Sequence, residues 1–197
     1  MAMHQTGRVI GALVATLMSL ASVNGTVFLG SCPNQPVATS FDTTSFVGDW
    51  YEYSSYVGLG QVAFRCPKEK YSIIIPGRFN VEQERIILGV KNTVKGQMKF
   101  ADPKNLEAKL SISFVEGAFD GRWTEVTPPN YNVLKADPAF IIVWDCTNLV
   151  AIHFPTLRIL TRQPNPPQFV IDEIYKELED RGISTGLLLK NSLDDCS

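Results

Sequence analysis

Trp50 stands in Gly48-Asp49-Trp50-Tyr51-Glu52, just after the aromatic-bracketed segment Phe41-Asp42-Thr43-Thr44-Ser45-Phe46, and it opens a run with strand composition. A large aromatic pinned at the start of a first strand suits the floor of a small barrel. Glycine lets backbone approach closely, and an indole two residues on supplies an apolar plug. A distant arginine is the expected partner for such a plug.

The first 25 residues carry a single charge at Arg8, an uncharged apolar stretch from Val9 to Ala21, and the small residues Val23-Asn24-Gly25. This pattern predicts a secretory signal peptide over residues 1–25, because the apolar stretch is shorter than the ~20 residues a membrane span needs. Its removal leaves 172 residues, 26–197, enough for one domain with a sizeable core. With Arg8 gone, 17 basic residues face 20 acidic ones, a net charge of −3 that offers nothing to nucleic acid or an anionic membrane. The four cysteines, Cys32, Cys66, Cys146 and Cys196, all lie in the exported part. An even number in an oxidising compartment implies two disulfides, and spacing alone permits three pairings.

Short β-rich runs recur along the chain: Trp50 to Tyr56, Lys70 to Ile75, Arg78 to Val81, Ile86 to Thr93, Gly96 to Phe100, Glu107 to Phe114, Tyr131 to Lys135, Phe140 to Trp144 and Leu157 to Thr161. Turn signals separate many of them, at Pro76-Gly77, Lys95-Gly96, Asp102-Pro103, Asp120-Gly121 and Pro128-Pro129-Asn130. This spacing predicts an all-β antiparallel domain built from hairpins. The clearest alternation sets Ala108, Leu110, Ile112 and Phe114 against Glu107, Lys109, Ser111 and Ser113, although period alone does not separate a hollow barrel from a packed sandwich. After Asn165-Pro166-Pro167, the residues Ile171, Ile174 and Leu178 fall at helical spacing. Asn can cap this helix, Pro sits in its first turn, and Gly182 can end it, giving an amphipathic helix packed outside the sheet.

Motifs for catalysis are weak. His153 is the single histidine of the mature chain and cannot build a multi-histidine metal site. Gly182-Ile183-Ser184-Thr185-Gly186 matches a hydrolase elbow formally, but it follows a helix and starts at that helix's stop signal. Gly58-Leu59-Gly60 lacks the third glycine of a dinucleotide site.

Taken together, Cys32-Pro33, Phe41-Asp42, Gly48-Asp49-Trp50-Tyr51-Glu52, Cys66 followed by Tyr71-Ser72, Cys146, Leu160-Thr161-Arg162-Gln163-Pro164, the helix and Cys196 resemble the lipocalins over essentially the whole mature chain. Within that family it looks most like the apolipoprotein D group, which includes Lazarillo and the arthropod bilin-binding proteins. The resemblance implies an eight-stranded antiparallel up-and-down barrel with one C-terminal amphipathic α-helix outside, and an apolar cup closed where Trp50 sits. It implies disulfides Cys32–Cys146 and Cys66–Cys196, with Gly48, Trp50 and Arg162 as the structural base, Arg162 lying across the indole. Tyr71 and Phe114 match pocket positions of the family, and Leu110 and Ile112 share the Phe114 row.

Two departures stand out. Ala136-Asp137-Pro138 replaces a usual Thr-Asp-Tyr, and because proline removes a ladder donor the strand containing Lys135 should end there. Arg158 stands where related chains tend to place an aromatic in the cup. It shares a strand face with residues 160 and 162, so it is a candidate ligand contact. A place near the rim, reaching water, is expected for it, since an inward guanidinium would call for an acidic ligand head group or a carboxylate from the chain.

The function implied is a secreted, extracellular carrier of a small hydrophobic ligand such as a fatty acid, retinoid, sterol, pheromone or bilin. No metal or cofactor is implied beyond such a bound lipid, retinoid or bilin, and no catalysis: with two bridges, no thiol remains for lipid isomerisation. The alternative is an interaction protein that turns open-end loops toward a protein or lipoprotein partner, through Tyr56-Val57-Gly58-Leu59-Gly60 and Trp123.

Overall fold

Among the described residues, 26–39, 41–56, 65–105, 107–114, 129–194 and 196, the computed structural model forms ten strands and two helices. In chain order they are β1 (Phe28–Leu29), α1 (Thr43–Phe46), β2 (Gly48–Tyr56), β3 (Arg65–Ile75), β4 (Arg78–Ile87), β5 (Val90–Phe100), β6 (Lys109–Phe114), β7 (Tyr131–Ala136), β8 (Phe140–Leu149), β9 (Ile152–Thr161), α2 (Gln168–Asp180) and β10 (Leu188–Lys190). From β2 to β9 each strand pairs antiparallel with the next, and β9 pairs with β2, closing an eight-stranded barrel. The short β1 and β10 add to β9 and β2. The loop residues 57–60, the turn expected at Asp120-Gly121, Trp123 and the signal peptide expected over residues 1–25 lie outside the described residues.

Alternation along the strands makes two cores. Inside the barrel, Trp50, Tyr71, Phe79, Met98, Leu110 and Leu160 belong to one buried cluster. On the outer wall, Leu134, Phe140, Ile142 and Ile159 pack with Val170, Ile171, Ile174 and Leu178 of α2, so the helix lies on the outside of the sheet. Its cap differs from expectation: the N-cap is Pro167, with no side-chain cap bond, because Asn165 stands two residues too early. Its end follows the glycine rule. Gly182 takes φ +68°, and Gly182 and Ile183 donate their N–H groups to Glu179 and Leu178 carbonyls.

The strand reading is corrected around the β4–β5 hairpin, where the run from Ile86 to Thr93 is not one strand but the end of β4, a turn and the start of β5. Lys95-Gly96 is not a turn; it lies within β5, and β4 turns into β5 at Leu88-Gly89 instead. Gly96 is there for room, since a Cβ on it would stand 2.4 Å from the Ser113 carbonyl oxygen and 2.8 Å from the Phe114 ring. A glycine can thus mark a close approach as well as a turn. At Ala136-Asp137-Pro138, β7 ends at Ala136 and β8 resumes at Phe140. The connection is held by Asp137 N–H to the Phe140 carbonyl and by Ala139 N–H to Asp137 Oδ1.

The base is sealed from three parts of the chain. Asp42 caps α1 by accepting from Thr44 N–H, and α1 drives Phe46 inward to stack on Tyr71 at 4.5 Å between centroids. Trp50, fully buried, donates its indole N–H to the Phe46 carbonyl at 2.7 Å. The Arg162 guanidinium lies 3.5 Å over the Trp50 ring and donates to the carbonyls of Ser45, Val47 and Asp49. Gly48, at φ +103°, lets this happen: a Cβ there would meet Arg162 Nη1 at 3.1 Å. Cys32–Cys146 and Cys66–Cys196 tie the ends of the chain to the wall across separations of 114 and 130 residues. Loops of that length are worth about 4–5 kcal/mol each on the chain-entropy account.

Arg162→Met removes the ring contact and leaves three carbonyls without their donor. We expect it to lower the unfolding free energy by about 2–4 kcal/mol, with Arg162→Lys recovering only part because an ammonium cannot fork across the carbonyls. Urea denaturation followed by circular dichroism checks this. A loss below about 0.5 kcal/mol would show that the base does not rest on the pair.

Candidate functional site inside the barrel

Glu52 lies two residues beyond Trp50 on the same strand face, and so projects into the barrel. After it β2 bulges: Glu52 pairs with Leu160, but Ser54 pairs with Ile159 and Ser55 with Arg158. The inserted residue reverses the alternation, so Tyr56 joins the outer core beneath α2 while Glu52 remains inside. On β3, Glu69 and Tyr71 share the inward face, and Glu69 pairs with both Trp50 and Gln83. Gln83 and Arg85 continue that face on β4. Arg158 enters from β9, one step above inward-facing Leu160.

These side chains join in one network. Arg158 donates from Nε and Nη2 to Glu52 Oε2, at 2.9 and 2.8 Å, and from Nη2 to Glu69 Oε1. Gln83 donates to Glu69 Oε1 at 2.6 Å, and the Tyr71 hydroxyl donates to Glu69 Oε2. With that proton engaged, the Tyr131 hydroxyl is the donor to Tyr71 oxygen at 2.7 Å. Asn191 of the C-terminal segment bonds both the backbone carbonyl and the carboxylate of Glu52. The side chains of Glu69, Glu52 and Arg158 are 3%, 11% and 17% exposed, so this is a buried ion triad with two acids to one base.

Burial works to raise the Glu52 pKa, but the Arg158 charge and hydrogen bonds from Ser55, Arg158 and Asn191 overcome it and hold the carboxyl below its ordinary range. Burial likewise opposes the charged guanidinium, and Glu69 and Glu52 more than offset it, so Arg158 stays protonated. Burial, then the Glu69 charge, pushes the Tyr71 hydroxyl well above its usual value, and Tyr131 rises chiefly through burial. Both phenols are neutral at physiological pH.

The expectation that Arg158 reaches water near the rim is therefore corrected. Its guanidinium is turned inward because two carboxylates of the chain are placed to receive it. It lines a cavity of about 200 Å³ with Glu52, Pro67, Lys68, Glu69, Gln83, Glu84 and Arg85. Tyr71 and Leu110 are sealed in the inner core, Ile112 is 7% exposed and Phe114 is half-buried; none of the four is among the residues around this cavity. Glu52, Glu69, Gln83 and Arg85 escaped the sequence reading as site residues. The signal was present, since Glu52 shares the Trp50 face and Glu69 the Tyr71 face, two residues apart in each case. At the end of the barrel opposite Trp50, the tips of the β4–β5 and β8–β9 hairpins carry Leu88 and Val150, both fully exposed with φ of 50° and 53°. Among the described residues no group of His, Cys, Asp or Glu is placed to hold a metal.

Comparison with known proteins gives a consistent picture. A family model described as a lipocalin-like domain matches residues 41–192. Apolipoprotein D of Mus musculus is 26% identical over 195 residues, covering 93% of this chain and 98% of that protein. The Oryctolagus cuniculus apolipoprotein D is 32% identical over 166 residues, covering 80% and 82%. Among solved structures, insecticyanin from the tobacco hornworm Manduca sexta superposes with a TM-score of 0.73 at 19% identity, covering 87% of this chain and 90% of that one. Lobster apocrustacyanin A1 does so with 0.66 at 16%, covering 86% and 92%. At these identities the structural likeness is one of fold.

Arg158→Met leaves two buried carboxylates without their counter-charge, and we expect a loss of about 3–5 kcal/mol in unfolding free energy at neutral pH. Glu52→Gln tests the sign of the pH dependence. Since folding lowers the Glu52 pKa, its stabilisation is fully present above the ordinary carboxylate value of 4.5 and disappears as pH falls through the folded value. The stability gap between wild type and Glu52→Gln should accordingly be largest at neutral pH and shrink on acidification, as read by urea titrations across that range. A gap independent of pH would refute the assignment.

Proposed function

The chain belongs to the lipocalin family, and from that premise we propose that it is a secreted carrier that holds a small hydrophobic molecule inside its barrel. One observation carries the reading: a closed barrel, sealed at the Trp50 end, keeps a cavity on its inner face. In this reading the polar end of the ligand lies toward Arg158 in the cavity, its apolar part extends beyond the cavity toward Ile112 and Phe114 on the inner face, and the sealed Leu110 and Tyr71 form the floor beneath. Burial of ligand apolar surface, at about 25 cal/mol per Å² before the costs of association, drives uptake. Fatty acids, retinoids, sterols, pheromones and bilins all supply such surface.

Export is inferred from the signal-peptide pattern of residues 1–25 and is supported by the two disulfides, which persist in oxidising compartments. Carriage rather than catalysis is supported by the same bridges: all four cysteines are engaged, leaving no thiolate to act on a lipid. A second reading, contact with a protein or lipoprotein through the open end, is favoured by Leu88 and Val150. Fully exposed apolar tips in left-handed backbone are unfavourable for a free surface. Loss of particle binding in Leu88→Asn and Val150→Asn, with ligand uptake intact, would support it; particle binding unchanged by both would remove it.

The protein purified from its native source should release a lipid or pigment on solvent extraction, and native mass spectrometry should show the matching mass shift. A visible absorption band would identify a pigment, and its absence a colourless lipid. A barrel that comes away empty and ignores a panel of these ligands would overturn the carrier reading.

A further inference from the structure

Charge is distributed in the cavity in a way that selects the polar end of a ligand. The wall holds three acids, Glu52, Glu69 and Glu84, and three bases, Lys68, Arg85 and Arg158, so it carries no net charge. One acid and one base of these are drawn to partners outside the cavity wall: Lys68 is bridged to Asp49 at 3.4 Å, and Glu84 to Lys91 at 2.9 Å. Arg85 leans on the Gln83 side-chain oxygen at 3.4 Å, and Gln83 in turn bonds Glu69. Among the remaining charges two carboxylates face one guanidinium, and beneath them, outside the cavity wall, the Tyr71 and Tyr131 hydroxyls bond to Glu69 and to each other without adding charge.

A ligand carboxylate placed here would be a third anion around Arg158, in a setting where like charges are poorly screened. An ammonium would need acceptors, yet Glu69 already receives Arg158, Gln83 and Tyr71, while Glu52 receives Arg158 and Asn191. The bonds of Arg158 to protein use Nε and Nη2. Among the described residues its Nη1 amino group is the guanidinium nitrogen left over from these bonds, and it suits a neutral oxygen acceptor.

We propose that this cavity takes amphiphiles whose polar end is an uncharged oxygen, a hydroxyl or carbonyl, in preference to fatty-acid anions and to amines, because the Glu52–Arg158–Glu69 triad is already one negative charge in excess and its carboxylates already have protein donors. This rests on the carrier reading and names the ligand class of the same site.

A series with one tail and three heads tests it: decanol, decanoate and decylamine titrated by calorimetry into the delipidated protein at neutral pH, below their aggregation limits. Decanol should bind at least about tenfold tighter than either ion. The decanol-to-decanoate affinity ratio should fall about tenfold in Glu69→Gln and further in the Glu52→Gln, Glu69→Gln double variant, as the triad moves from excess negative to excess positive charge. Decanoate or decylamine equal to or tighter than decanol in the wild type would overturn the proposal while leaving the carrier reading standing, and this comparison needs no variant to fold. A ratio unmoved by folded Glu69→Gln would also overturn it. Binding of none of the three would remove both the proposal and the carrier reading.

Discussion

A barrel can keep a hollow only if one end is closed by groups that prefer each other to water, and here that closure is the Arg162 guanidinium laid on Trp50. The contact gathers three remote pieces of chain: the turn of α1 through Ser45 and Val47, the start of β2 through Asp49, and the residue just after β9. The attraction of cation for ring is modest, about 0.5–2 kcal/mol. Its larger effect is geometric. By fixing β2 against the end of β9, it sets the register of the one seam that joins the first and last barrel strands, and every inward position on both strands follows from that register.

The placement of the ion triad is a direct consequence. Counting in twos from Trp50 brings Glu52 inward, and counting back in twos from Arg162 brings Leu160 and Arg158 inward, so the seam that seals the base also sets an acid beside a base one layer higher. The bulge after Glu52 then turns the rest of β2 the other way and hands Tyr56 to the outer core, where its hydroxyl donates to the Ser184 carbonyl. Without that extra residue, one strand could not serve the polar interior below and the helix-covered wall above.

This also explains what could be read from the chain and what could not. The antiparallel β domain, the outer helix and its glycine stop follow from local signals, namely alternation, helical spacing and a residue free to adopt positive φ, whereas closure into eight strands was implied by the resemblance to the lipocalins, since alternation fits a sandwich equally well. Gly96 misled, because a glycine needed for close strand approach looks like a glycine needed for a turn. Of the cavity wall, Arg158 alone drew notice as a site residue, and its direction was misjudged. Whether a guanidinium faces in or out depends on carboxylates 106 and 89 residues away in sequence, a long-range pairing that no local pattern encodes. Glu52 and Glu69 were within reach only by combining strand faces with the register across the seam.

The triad is hard to justify on stability alone. Burying one guanidinium and two carboxylates costs several kcal/mol per ion, and a well-packed apolar replacement is often as stable or more so. The inner core around it shows that such packing is available: Phe46, Phe79, Phe100 and Met98 fill the lower barrel without a charge among them. Charge is confined to the layer where that aromatic floor meets the cavity, and there every carboxylate has a donor. An ionic layer at that boundary does what an apolar one cannot: it gives the cavity a polar end with a direction.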